Sequence, residues 1–243
     1  MIGGAPRRLL RFSASARALH WTLALATLGL LASGLPLLLP AFRWWIRGYD
    51  PQVGLRLHLA LSVFLLAPGL VVLLGDRGAL RAESVELVRL GREDWRWLRR
   101  LPAFLVGLPC ASERVGRYNG GQKLNAWGVL TSVTGLTLTG VLLWLGAPAG
   151  LLPILRWLHD GLTLVLLLLV AGHVVLATLH PRTRPALRGM VDGWVPADWA
   201  AVQYPRWAAG AAADRPAESR CLRPGAEPGE GPKVDRRERR DVQ

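Results

Sequence analysis

Residues 154–180 read ILRWLHDGLTLVLLLLVAGHVVLATLH, and this stretch decides the fold. As an α-helix it would rise about 40 Å, enough to cross a hydrocarbon core about 30 Å thick. Its apolar run carries two histidines, His159 and His173, fourteen residues apart. At 3.6 residues per turn that spacing is close to four turns, so both imidazoles project from nearly the same side, about 21 Å apart in depth. An ionisable side chain in hydrocarbon is costly without a partner and marks a functional site by default.

Working outward, three more apolar blocks have comparable length, at about 18–39, 53–75 and 124–146. The chain of 243 residues is 51% hydrophobic with mean hydropathy +0.26. Apolar residues gathered into four such blocks indicate a single all-α domain, an integral membrane four-helix bundle over 18–180. Pro68 removes a backbone donor and should bend the second span. The run from Ala18 exceeds the usual signal-peptide core of about 7–15 residues, so it reads as a retained span. No internal repeat is read along the chain.

The net charge of +13 is almost all arginine. Arg77, Arg81, Arg89, Arg92, Arg96, Arg99, Arg100, Arg114, Arg117 and Lys123 fall between the second and third spans. The other two loops hold only Arg43, Arg47, Arg56 and Arg156. Orientation accounts for this bias better than nucleic-acid binding, and it predicts that both termini and the central loop are cytoplasmic. Residues 1–17 and 181–207 are then cytoplasmic segments, and Trp44, Trp45, Tyr49 and Trp157 form an aromatic belt on the opposite face. Within the central loop, Glu83 to Leu101 mixes Val85, Val88, Trp95, Leu98 and Leu101 with arginines. That pattern fits a short amphipathic helix at the interface or a solvated loop with a few anchors. Residues 208–243, rich in Ala, Gly, Pro, Arg and Glu without apolar period, are expected to be disordered. Cys110 and Cys221 lack the C-x-x-C-H context of covalent heme attachment, and a structural disulfide is not expected.

In this orientation His58 and His159 fall near the outer face, and His20 and His173 near the cytoplasmic face. Topology alone pairs them. Each layer offers two imidazoles with no carboxylate or thiolate beside them, whereas structural zinc takes four ligands and catalytic zinc three. Iron in a porphyrin needs only two axial ligands, so the pattern points to two six-coordinate b hemes and one-electron transfer. Taken singly, each histidine could equally be an interhelical hydrogen bonder. His180, beside Pro181, reads as an interfacial residue outside this pattern. Arg56 and Arg156 lie just beyond the outer pair, where they could clamp propionates or snorkel to headgroups. Gly29, Gly34, Gly135 and Gly140 allow close approach of helices or of a porphyrin face. Thr131, Ser132, Thr134, Thr137 and Thr139 read as interhelical hydrogen bonders.

Arg117-Tyr118-Asn119-Gly120-Gly121-Gln122-Lys123-Leu124 resembles the Tyr-Asn-x-Gly-Gln-Lys motif of the membrane cytochrome b (gamma) subunit of respiratory formate dehydrogenases. Arg17-Ala18-Leu19-His20-Trp21, Arg56-Leu57-His58 and the His159–His173 spacing are similar too. So are Gly189 to Gly193 and Tyr204-Pro205-Arg206-Trp207, and the resemblance runs from about Phe12 to Trp207. One departure is Gln203-Tyr204, where the family often carries two histidines; it is expected to alter a surface contact only. The resemblance implies a bacterial inner-membrane subunit. Its partners would be an iron–sulfur (beta) subunit and a molybdenum or tungsten catalytic (alpha) subunit that oxidises formate. Electrons would pass from the outer to the inner heme and reduce a quinone near the cytoplasmic face, with Asn119 and Gln122 in the quinone pocket. The plainer reading of Asn119 is the turn that opens the third span. The competing functions are the cytochrome b of another complex (a nickel–iron hydrogenase or a thiosulfate-type reductase) and a heme-free anchor or proton-relay protein.

Overall fold

The computed structural model describes residues 7–46, 48–108 and 114–213. A short strand β1 (Arg8–Leu10) leads into the long helix α1 (Ala14–Leu38). A 3₁₀ turn at Pro40–Trp45 reverses the chain into α2 (Pro51–Ser62) and α3 (Leu66–Leu74), joined by a 3₁₀ turn at Val63–Leu65. Three short helices follow, α4 (Arg77–Val88), α5 (Arg92–Leu98) and α6 (Leu101–Leu105). The second hairpin is α7 (Gly120–Trp144) and α8 (Leu152–Thr178). The described residues end with α9 (Ala186–Val191), β2 (Trp194–Pro196), α10 (Ala197–Gln203) and α11 (Pro205–Ala213).

Among the described residues, four helical stretches are long and apolar enough to cross a membrane: α1, α2 with α3, α7 and α8. Each begins two to four residues before the apolar block that foretold it, and in α1, α2 and α7 a polar cap precedes the apolar run. Ser13 accepts from the Ala16 amide at 3.1 Å, and Asp50 from the Gln52 amide at 2.8 Å ahead of Pro51. The expected bend in the second span falls one turn before its cause. Pro68 has no N–H to offer the Phe64 carbonyl, and the helix tightens to 3₁₀ geometry around Phe64. Large apolar side chains face outward along these helices: Leu25 is 68% exposed, Leu74 87% and Leu168 73%. This inside-out distribution suits a lipid environment.

The two hairpins pack closely within themselves and only sparsely against each other. At the end where α1 and α7 begin, a compact cap covers the bundle. β1 pairs antiparallel with β2, Arg8 opposite Pro196 and Leu10 opposite Trp194, adding a two-stranded ribbon to the all-α expectation. Leu9, Val195, Ala200 and Ala208 form one core there, and Trp97, Phe104, Val115 and Tyr204 a second.

Two expectations are corrected in this cap. The single amphipathic helix over 83–101 is broken at Leu90-Gly91 into α4 and α5, with Trp97 buried and Trp95 exposed. Asp94 closes the break by accepting from the Gly91 amide at 2.8 Å. Disorder from residue 208 does not hold over 208–213, which complete α11 because Ala208 packs into the core under β1. Residues 214–243 lie outside the described residues, as do Cys110 and Cys221. His180, just beyond α8, is enclosed there: it is 9% exposed, its Nε2 lies 3.0 Å from the Phe104 carbonyl, and its ring stacks on Phe104 at 4.8 Å.

Candidate functional site

The four span histidines meet across the seam between the hairpins, in the pairs that topology assigned. His20 of α1 faces His173 of α8 with ring centroids 6.0 Å apart, near the cap. His58 of α2 faces His159 of α8 at 6.4 Å, toward the far end. His20, His58 and His159 are half-buried and His173 is exposed along the seam.

These separations can be tested against a shared metal. An imidazole nitrogen binds a first-row metal at about 2 Å, and it lies about 1.1 Å from its own ring centre, so two rings on one metal have centroids about 6.2 Å apart. Both pairs match. Among the described residues no group of three or more His, Cys, Asp or Glu could hold a metal. A site of two imidazoles therefore suits a metal that brings four equatorial ligands of its own, as iron porphyrin does.

The far-end pair has a second layer. His58 Nδ1 lies 2.9 Å from the Ser33 hydroxyl of α1, and His159 Nδ1 lies 2.9 Å from the Thr139 hydroxyl of α7. The next residue in each case is glycine. A Cβ at Gly34 would lie 3.1 Å from His58 Cε1, and one at Gly140 would lie 3.4 Å from His159 Cε1. Ser33 is the twentieth residue of α1 and Thr139 the twentieth of α7, while His58 and His159 are each the eighth residue of their helices. The hairpins thus repeat one hydroxyl–glycine–imidazole unit, an internal repeat that the sequence reading missed because only these few positions carry it. Thr139 was legible as an interhelical hydrogen bonder, and the structure supplies its partner.

Arg56 and Arg156 are exposed in the early turns of α2 and α8, at the far end. Of the expected aromatic belt, Trp157 is 83% exposed and Tyr49 half-buried; the side chains of Trp44 and Trp45 lie outside the description.

At the cap end, Asn119 and Gln122 hold the start of α7 in a reciprocal capping box. The Asn119 side chain accepts from the Gln122 amide at 2.9 Å, and the Gln122 side chain from the Asn119 amide at 3.0 Å. The turn-forming role of Asn119 is therefore real. Both side-chain carbonyls are engaged, and the amide nitrogens are the groups left to donate. Gln122 Oε1 also accepts from the Tyr204 hydroxyl at 3.3 Å.

Tyr204 corrects another expectation. At 1% exposure it is a core residue, not a surface contact, and its ring carries the guanidinium of Arg11 3.9 Å from its centroid. Arg11 is fully buried, and desolvation lowers its pKa, yet it donates to the Arg117 carbonyl at 2.6 Å. Arg117 returns a bond to the Arg11 carbonyl and pairs with Glu83 at 2.8 Å. Burial pushes the Tyr118 hydroxyl up to about 12. Lys123 pairs with Asp94 at 2.9 Å, both nearly enclosed. Sequence reasoning had counted Arg117 and Lys123 as loop charges, and nothing in their spacing, or in that of Arg11, distinguishes them from exposed basic residues.

Residues 11–193 match the family described as prokaryotic cytochrome b561. The chain belongs to that family. It is accordingly an integral membrane protein of a b-type cytochrome family, and b-type heme is the cofactor class that the two-imidazole sites fit. The formate dehydrogenase cytochrome b556(fdo) subunit of Escherichia coli K12 is 28% identical over 205 residues, covering 82% of this chain and 91% of the relative. The nitrate-inducible cytochrome b556(Fdn) subunit of the same organism is 26% identical over 200 residues, 79% of this chain and 86% of the relative. The formate dehydrogenase cytochrome b556 subunit of Haemophilus influenzae is 27% identical over 209 residues, 82% of each.

Proposed function

We propose that this chain is the diheme cytochrome b subunit of a formate dehydrogenase complex, carrying electrons from an iron–sulfur (beta) subunit across the bilayer to a quinone. The observation that carries this reading is the pair of imidazole sites, with centroids 6.0 and 6.4 Å apart, at two depths on one seam. The names of the relatives support formate as the electron source, and the family resemblance implies its oxidation by a molybdenum or tungsten catalytic (alpha) subunit. The arginine bias of the loops supports an orientation in which the cap and both termini are cytoplasmic.

A heme b held by such a pair of imidazoles would supply reversible one-electron chemistry. The residues of the chain do the rest. His58 and His159 hold the outer group, and His20 and His173 the inner one. Arg56 and Arg156 stand at the outer rim, where a guanidinium fork suits propionate carboxylates. The outward Leu and Val side chains of α1, α3, α7 and α8 seat the bundle in lipid and keep water from the seam. At the cytoplasmic end, the amide nitrogens of Asn119 and Gln122 donate to a quinone carbonyl, while their carbonyls hold α7 in place.

The test is purification of the intact complex from its native membrane. Reduced-minus-oxidised spectra should show b-type bands at about two hemes per chain, together with iron–sulfur and catalytic subunits and formate-dependent quinone reduction. A colourless preparation sinks the cytochrome reading. Bands reducible by hydrogen and not by formate would assign the chain to a different complex. Asn119→Ala should slow quinol formation at unchanged heme content; unaltered kinetics would leave that residue a helix cap alone.

A further inference from the structure

We infer that Ser33 and Thr139 are positioning residues that make the far-end imidazoles stronger electron donors than the cap-end pair, and so bias electrons to settle at the cap end. This rests on the reading that each histidine pair holds a heme.

The argument is one of proton placement. A hydroxyl has one hydrogen to donate and two lone pairs that accept. Ser33 Oγ donates to the Gly29 carbonyl at 2.9 Å, and Thr139 Oγ1 to the Gly135 carbonyl at 2.8 Å, each one turn back in its own helix. With its only hydrogen committed there, each oxygen can meet the facing imidazole only as an acceptor. On this placement Nδ1 of His58 and Nδ1 of His159 carry the hydrogen. That fixes the tautomer and leaves Nε2 of each ring free to bind metal.

An N–H that donates to an oxygen leaves its ring richer in electrons and a more basic ligand. Two such rings at one site favour the oxidised metal and lower its potential. The cap-end pair lacks this support. The His20 ring meets the edge of Trp21 at 5.3 Å and the ring of His173, and among the described residues no polar atom is hydrogen-bonded to either ring. The difference therefore has a direction. The far end is the lower-potential site, and electrons move from it toward the cap.

The glycines belong to the same device. Gly34 and Gly140 let the imidazoles lie against the backbone of the facing helix, within reach of the neighbouring hydroxyl. Because the unit occurs once in each hairpin, at matching helix positions, two independent contacts carry the inference.

Potentiometric titration of the purified complex, followed at the b-type bands, reads the outcome directly. The Ser33→Ala, Thr139→Val double variant should raise the lower of the two potentials, leave the upper one in place and keep both hemes. Exchanging the hydroxyls (Ser33→Thr with Thr139→Ser) should restore the original separation, since the acceptor oxygens remain. If the double variant sheds its outer heme, Ser33→Cys takes its place, because sulfur is a weak acceptor; an upward shift of the lower potential again supports the assignment. Two retained hemes with an unmoved lower potential overturn it, as does a shift confined to the upper one. Absence of b heme from the unmodified complex instead overturns the underlying reading and is distinguishable on sight.

Discussion

His58 and His159 are braced from behind by hydroxyls of the facing helices at 2.9 Å, whereas His20 and His173 meet Trp21 and each other. The surroundings differ in the same sense. The far-end pair sits where each hairpin is simplest, helix against helix, and gets its order from one repeated local unit. The cap-end pair lies beside a folded cap held by Lys123–Asp94 at 2.9 Å, Arg117–Glu83 at 2.8 Å and Arg11 against Tyr204. Two sites of nearly equal ring separation are thus built by different means. One is ordered by hydrogen bonds inside the membrane helices, the other by packing outside them.

The largest test of this contrast removes one ligand at each end. His159→Ala and His173→Ala should each reduce heme from about two to about one per chain, with the remaining spectrum that of the opposite site. Loss of the same spectral component in both variants would mean that the pairs are misassigned. A smaller effect is expected from Lys123→Ala, which strands the Asp94 carboxylate in an enclosed site at a cost of about 3–5 kcal/mol. Thermal unfolding in detergent should move down accordingly, with the cap-end heme released before the far-end one, and Asp94→Ala should restore part of the loss in the double variant. Simultaneous release would show that the cap does not order its site separately. Smallest is the pair Gly34→Ala and Gly140→Ala, whose new methyls would lie 3.1 and 3.4 Å from their imidazoles. Overpacking of this kind costs about 1–3 kcal/mol. Gly34→Ala should loosen the far-end heme more than Gly140→Ala, measured by heme retention on dilution; equal retention would mean that the rings give way freely.

Much of the bundle was legible in the chain because the bilayer imposes a one-dimensional rule. A helix must run unbroken for its thickness, and an imidazole within it must find a partner at its own depth. That rule paired His20 with His173 and His58 with His159 from order along the chain. It could not say which of the many Ser and Thr residues in the spans touch an imidazole, since an exposed Thr137 and a bonded Thr139 look alike in sequence. The cap was less legible still. Tyr204 read as a surface substitution, and Arg11 as one charge among thirty basic residues. Their burial depends on β1 and β2 meeting across more than 180 residues of chain.

Sequence alone, then, determined the four apolar helices and the place of each histidine along them, because helical rise and the cost of polar groups in hydrocarbon act residue by residue. Tertiary structure alone decided which hydroxyl stands behind which ring, where Pro68 is felt, and that the segments around Arg11 and Tyr204 fold into a core. Those outcomes depend on side chains from distant segments arriving at the same few ångströms, which no local pattern encodes.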